Sequence, residues 1–385
     1  MKWPALIMAF LFLSCCIENT KLSVPSNIGE VVQFASADGS VVLRPTMKYD
    51  LFECMLIAVG SDADFDLAPF GISGNLLSEE GLKFQKFARE RISDELVEDI
   101  KRYILFNNAL SANEIFWWLQ NVMWKCPETN DIDRIIGYIK GLNEADLRWT
   151  SEKRKAGIIE NRTNIAKTIK EFWNGAFYDY YSNLYPELVA YCGNAIKEVD
   201  IAICERFSGV GILGFLEKWS GRTFENNTRI LFYPNPFLNR GAFMISETEE
   251  PYVISINIAW HVNDWIMVPF HEMSHPLLRD MAYSKEFYDL TKGIESTEYD
   301  ENLFRTYGDM WGVVEEYCVA AFDIFLRTKA GFIDESEALQ HQYYRTDLCL
   351  DLTEYLLKNH KLGEDIGETF LEFLRSRTKE PQKHA

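Results

Sequence analysis

The chain has 385 residues, enough for one large domain or two modest ones. Its 47% hydrophobic and 14% aromatic content can build a substantial core, which excludes general disorder. A formal charge of −19 leaves no basic field for phosphates, which excludes a nucleic-acid-binding surface and a polybasic membrane patch; a preference for basic substrates is compatible with it.

Residues 1–15 read as a targeting segment rather than part of the fold. Met1-Lys2 gives a positive start, and Pro4 to Leu13 is an apolar stretch too short for a permanent membrane span. Ser14-Cys15-Cys16 follows at once. An apolar run ending in Leu-Ser-Cys resembles a bacterial lipoprotein signal, in which the cysteine becomes the lipidated first residue. Cys15 fits that position better than Cys16, because the small Ser14 then precedes the cut; an ordinary cleaved secretory signal is the alternative. Either way the mature chain is expected to be exported, to the periplasm or the cell surface, with a lipid anchor as its only membrane contact. Six further cysteines, Cys54, Cys126, Cys192, Cys204, Cys318 and Cys349, form no Cys-x-x-Cys pair, so a zinc ribbon or thioredoxin-like motif is excluded. Most of them read as buried small hydrophobes.

Residues 16–45 are expected to hold a tether and a β-hairpin, with Val31–Phe34 and Val41–Leu43 flanking the Asp38-Gly39 turn. Residues 46–220 form a helical region. A helix starts at Met47, another opens at Ser93-Asp94-Glu95, and Ser111 with Glu114 has capping-box spacing ahead of Ile115, Trp118 and Leu119. Asp131 starts a further helix, and one long helix is expected from Glu144 to Tyr181.

The pattern changes near Thr223, and residues 221–378 form the expected catalytic region. Arg229 to Tyr233 is strand-like and is expected to end at Pro234-Asn235-Pro236. Gly241–Ile245 and Tyr252–Ile258 are two more strands, joined by a turn at Glu247–Pro251, and the first of these suits an edge strand. Helices are expected over residues 262–275, 299–328, 335–360 and 364–377. The fold class is therefore α+β, mostly helical, with a small sheet preceding an active-site helix.

That helix carries His271-Glu272-Met273-Ser274-His275. Histidines four apart lie one turn apart on one helix face and can reach a single zinc ion. Glu272 is placed to take a proton from a water on that ion. With six histidines in the chain, chance produces this pattern on the order of 0.01 times. Val262, Ile266, Met267 and Phe270 make the preceding turns apolar, so the segment reads as a buried helix. Pro276 is expected to bend or end it after both histidines.

A catalytic zinc needs a third protein ligand and an open position. No third histidine follows at His-x-x-Gly-x-x-His spacing. Glu315 and Glu316 lie in an otherwise apolar helix, Trp311 to Ala321, where a carboxylate needs a partner. Glu316 is the expected ligand, because Ala320 follows one turn later on the same face and lets the helix come close. Glu315 then either supports a ligand from behind or faces solvent. For an oxyanion-stabilising group the candidates are Tyr343, Tyr344 and His341; His261 reads as a helix cap.

His271-Glu272-x-x-His275 with a downstream Glu316 resembles the gluzincin metallopeptidases. The chain is also similar to a bacterial family of exported metallopeptidase-like proteins known as a domain of unknown function. Its members pair a His-Glu-(Phe/Met)-(Ser/Gly)-His helix with a later Glu-x-x-Val-x-Ala helix, here Glu316 to Ala321. The likeness extends loosely over much of the chain, including the helix start at Lys48-Tyr49-Asp50-Leu51-Phe52. Two departures stand. Forty residues separate His275 from Glu316, more than in thermolysin-like enzymes, and Ala320 occupies a position where the family often has arginine. The resemblance implies a zincin-like fold and zinc-dependent hydrolysis of a peptide or protein substrate, with Glu272 as general base. Two rivals are a non-catalytic zinc-containing surface lipoprotein that binds a glycan or protein, and a zinc amidase or deacylase acting on a non-peptide substrate.

Overall fold

The computed structural model describes residues 28, 30–61, 65, 76–106, 112–147, 151–207, 209–225, 227–239, 243–246, 252–292, 294, 300–301, 303–304 and 309–379. The targeting segment, Ser111, Gly241-Ala242, the Glu247–Pro251 turn and His384 lie outside these residues.

A five-stranded sheet divides the described residues into two packed layers of helix. Its strands are β1 (Phe34–Ala35), β2 (Val41–Leu43), β3 (Ile230–Asn235), β4 (Phe243–Ser246) and β5 (Tyr252–Asn257), in the order β1-β2-β3-β5-β4. β1 and β2 pair antiparallel around Asp38-Gly39, with Phe34 opposite Leu43. β2, β3 and β5 run parallel, and β4 closes the sheet antiparallel to β5 as its outer strand, as expected. The parallel strands are buried on both faces, which is why they read as near-continuous apolar runs.

β3 does not stop before Pro234, as expected from the sequence, but runs through it in register with Ile256. The reason lies in the neighbour. Ile230 and Phe232 bond toward β2, through Ser40 and Arg44. Pro234 has the same parity, yet β2 has already ended at Leu43, so its missing N–H costs no ladder bond.

Leu231, Tyr233 and Val253 face the first helical layer. That layer contains α1 (Met47–Val59), α2 (Glu79–Arg89), α3 (Asp94–Asp99), α4 (Ala112–Asn121), α5 (Ile132–Gly141), α6 (Glu152–Phe172) and the start of α7 (Tyr178–Phe207). The single helix expected from Glu144 to Tyr181 is displaced. Glu144–Asp146 is only a short 3-10 turn, Ser151 then caps α6 by accepting from the Arg154 N–H, and the rod continues through a π turn (Trp173–Phe177) and past Pro186 to Phe207.

Ile230, Phe232, Ile254 and Ile256 face the second layer. It holds α8 (Gly211–Ser220), α9 (Val262–Glu272), α10 (Ser274–Ala282), α11 (Lys285–Thr291), α12 (Met310–Lys329), α13 (Asp347–Asn359) and α14 (Ile366–Lys379). β5 delivers the chain into α9 within five residues, and His261 caps α9, its Nδ1 accepting from the Asn263 N–H at 3.1 Å. The small sheet thus stands just before the helix that carries His271 and Glu272, a zincin-like arrangement. Among the described residues no helix is long and apolar enough to cross a membrane.

Candidate metal centre

The two histidines do not share one uninterrupted helix. α9 ends at Glu272, Met273 takes φ −79° and ψ −11°, and α10 begins at Ser274. The break therefore falls between His271 and His275, not after both of them. Pro276 explains the shift: its ring would clash with the carbonyl four residues back, that of Glu272, and it lacks the N–H that would bond there. Restarting the helix at Ser274 puts Pro276 in a first turn, where a missing N–H is harmless. Ser274 adds to the bend by donating its hydroxyl to the Phe270 carbonyl.

The bend keeps both imidazoles on the side facing α12. Their ring centroids are 5.4 Å apart and nearly perpendicular. His271 Nε2 lies 3.4 Å from Glu316 Oε1, and His275 Nε2 lies 3.8 Å from Glu316 Oε2. One ligand atom from each of His271, His275 and Glu316 lies within 4.8 Å of the others, a set suited to a divalent cation. Ala320 and Ala321, both fully buried, let α12 approach α9 closely enough for this.

Glu315 and Glu316 divide their work. Glu316 is 5% exposed and looks into the centre, whereas Glu315 Oε1 sits 2.8 Å from His275 Nδ1, behind it. That contact leaves Nε2 as the coordinating atom. Burial pulls the His275 pKa down, but Glu315, Glu316 and Glu272 outweigh it and hold the imidazole up at about 10. The same negative field favours a divalent cation at this place, where it would displace the Nε2 proton. His271 Nδ1 is buried with no hydrogen-bond partner among the described residues.

Glu272 is 9% exposed, and its charge acts on His275 and on Tyr343. Of the three oxyanion candidates, Tyr343 and Tyr344 reach the centre. Tyr344 donates its hydroxyl to Glu316 Oε1 at 3.0 Å, and burial together with Glu316 pushes its pKa far up. The Tyr343 ring stands 6.3 Å from the His271 ring, and its hydroxyl donates to Asp323. Both phenolic hydrogens are thus already engaged. His341 is exposed at the end of the 3-10 turn Glu335–His341, away from these contacts.

No protein-family model, curated protein or solved structure matches the chain. The geometry of the centre therefore carries the functional reading.

Sequence reasoning missed one part of the surroundings. Asp323, fully buried, takes two bonds from Arg327, Nε at 2.8 Å and Nη2 at 2.9 Å, besides the one from Tyr343. The signal was available: Asp323 follows Glu316 by seven residues on the same face of an apolar helix, with Arg327 one turn further on. Five of the six cysteines described are buried and all six are free thiols; Cys204 alone is exposed. His360 is buried far from the centre, bonded to Thr369 and to the Trp219 carbonyl.

Proposed function

We propose that the protein is a zinc-dependent hydrolase, specifically a peptidase, with His271, His275 and Glu316 as metal ligands and Glu272 as general base. The observation that carries this reading is the convergence of two imidazole nitrogens and one buried carboxylate with no fourth such ligand among the described residues. Three protein ligands and an open position belong to catalytic zinc, whereas structural zinc is closed by four. This favours turnover over a purely structural or ligand-capturing role.

Bound there, zinc supplies Lewis acidity, acidifying water and polarising a carbonyl. Glu272 accepts the proton of the attacking water and passes it to the leaving amine nitrogen. Glu315 fixes the ring of His275, and Tyr344 fixes the carboxylate of Glu316. The outer strand β4 supports a peptide as substrate, because an extended chain can add to a sheet edge. The resemblance to gluzincins and to exported bacterial metallopeptidase-like proteins points the same way. Export with Cys15 as the lipidated residue belongs to the same proposal; a Cys15→Ala chain that still incorporated labelled palmitate would remove it.

The test is metal content alongside activity. Wild-type protein should carry about one zinc and cleave members of a peptide library. Glu272→Gln should keep the zinc and lose at least about 10²-fold in rate, and His271→Ala should lose the zinc. Unchanged cleavage by Glu272→Gln would remove Glu272 from the mechanism, and a wild-type protein that binds no zinc would remove the metal.

A further inference from the structure

We infer that the substrate carries a bulky apolar side chain a few residues from the cleaved bond, and that Tyr283 and Trp311 receive it. The inference rests on the metallopeptidase reading and adds to it a subsite that sets specificity.

The subsite follows from the positions that two helices leave uncovered. On α10, His275, Arg279 and Tyr283 at its end recur at one-turn spacing toward the surface, while residues 277–278 and 281–282 are buried. On α12, Trp311 and Glu315 are half-buried one turn apart, and residues 312–314 between them are buried. The two rows meet at both ends. His275 Nδ1 is 2.8 Å from Glu315 Oε1, and the Tyr283 ring stands edge-on to Trp311, with centroids 5.2 Å apart at 71°. One seam therefore leads from the metal centre to an aromatic pair.

Its length fixes the register. Trp311 is four residues from Glu315 and Tyr283 eight from His275, about 6 Å and about 12 Å along their helices. An extended peptide advances about 3.3 Å per residue, so it reaches the pair roughly two to four residues from the bond held at the metal.

The pair is anchored and open. Trp311 donates its indole N–H to the Ala282 carbonyl and packs on the second core. Tyr283 beside it is 69% exposed. Among the described residues no other ring and no cation lies against either of them. With the indole N–H engaged, Trp311 offers ring surface rather than a donor. That suits an apolar side chain, which gains from covering both rings, better than a sugar, whose hydroxyls need polar partners.

The experiment uses the full zinc-loaded chain and short alanine–serine peptides ending in a hydroxamate. The hydroxamate grips the metal and fixes the register, from the C-terminal end in one series and the N-terminal end in another. A single phenylalanine is moved outward from it, and binding is read by calorimetry. In one series, phenylalanine roughly two to four residues from the hydroxamate should tighten binding about fivefold to tenfold over the parent peptide, and more than at nearer or farther positions. Tyr283→Ser should remove most of that gain, and Tyr283→Phe should keep it, with zinc content and melting temperature unchanged in both. A gain that is absent, that ignores position, or that survives Tyr283→Ser overturns the inference. Loss of the gain in Tyr283→Phe overturns it too, because the contact is then polar. Failure of the peptidase reading shows separately, as hydroxamates that bind in the expected pattern to a wild-type protein that cleaves none of the corresponding amide-linked peptides.

Discussion

At the residue scale, the neighbouring acids Glu315 and Glu316 behave differently because consecutive positions on a helix are about 100° apart. Glu316 turns into the centre and Glu315 reaches the back of His275. Glu315→Ala should weaken zinc binding about 10–100-fold in a competition titration, while Glu315→Gln, which can still accept from Nδ1, should lose less. Tyr344→Phe removes the bond to Glu316 Oε1 and should lower zinc affinity in the same assay without altering the fold. The grouping of His271 with His275 was legible because histidines four apart lie on one helix face. Glu316 was legible because an acid in an apolar helix needs a partner. The spacing of Asp323 and Arg327 was visible in the apolar helix, but an i, i+4 acid–base pair is common on exposed helices, and only tertiary packing decides that Asp323 is inside.

At the element scale, sequence pattern gave the existence of most helices and strands and misplaced their breaks. Local pattern reads Pro234 as the end of its strand and Pro276 as a bend or end after both histidines. In the fold, each sits where its missing N–H does no harm, which depends on neighbours that local pattern does not contain. α1 shows the same limit. It is buried nearly all round, including Asp50 and Glu53, which meet Tyr233 and Asn235 from β3. Burial raises Asp50 to about 7, and burial with the neighbouring Asp50 raises Glu53 as well. A carboxyl whose pKa is higher folded than unfolded contributes stability at pH below the usual carboxylate range and loses it as pH climbs through the folded value. Thermal melts should therefore show lower stability at pH 8 than at pH 5, and Asp50→Asn should flatten that dependence, by up to about 3 kcal/mol. Where α12 meets α9, Ala320→Leu should cost about 1–3 kcal/mol by overpacking and should reduce zinc content, because the helices can no longer close on the centre.

At the scale of the whole molecule, one sheet serves two cores. Alternate side chains of β3 and β5 face the first helical layer and the layer that carries the centre. The early hairpin contributes β2 as the parallel neighbour of β3, so residues nearly 190 positions apart in sequence share one ladder. Such pairing is invisible to local pattern. A bound ion should be felt through this frame: zinc at 100 times its dissociation constant should raise stability by about 2.7 kcal/mol, read as a higher melting temperature that EDTA reverses. The rise should be absent in His271→Ala.

The interruption at Met273 has a mechanical consequence. His271, His275 and Glu316 belong to three separate helices, and two of these meet at the Met273 joint. An ion held by all three would act as a pin beside that joint, tying α9 and α10 to α12. Loading the pin should slow amide exchange across residues 273–278, and removing it should free the joint before the rest of the molecule loosens.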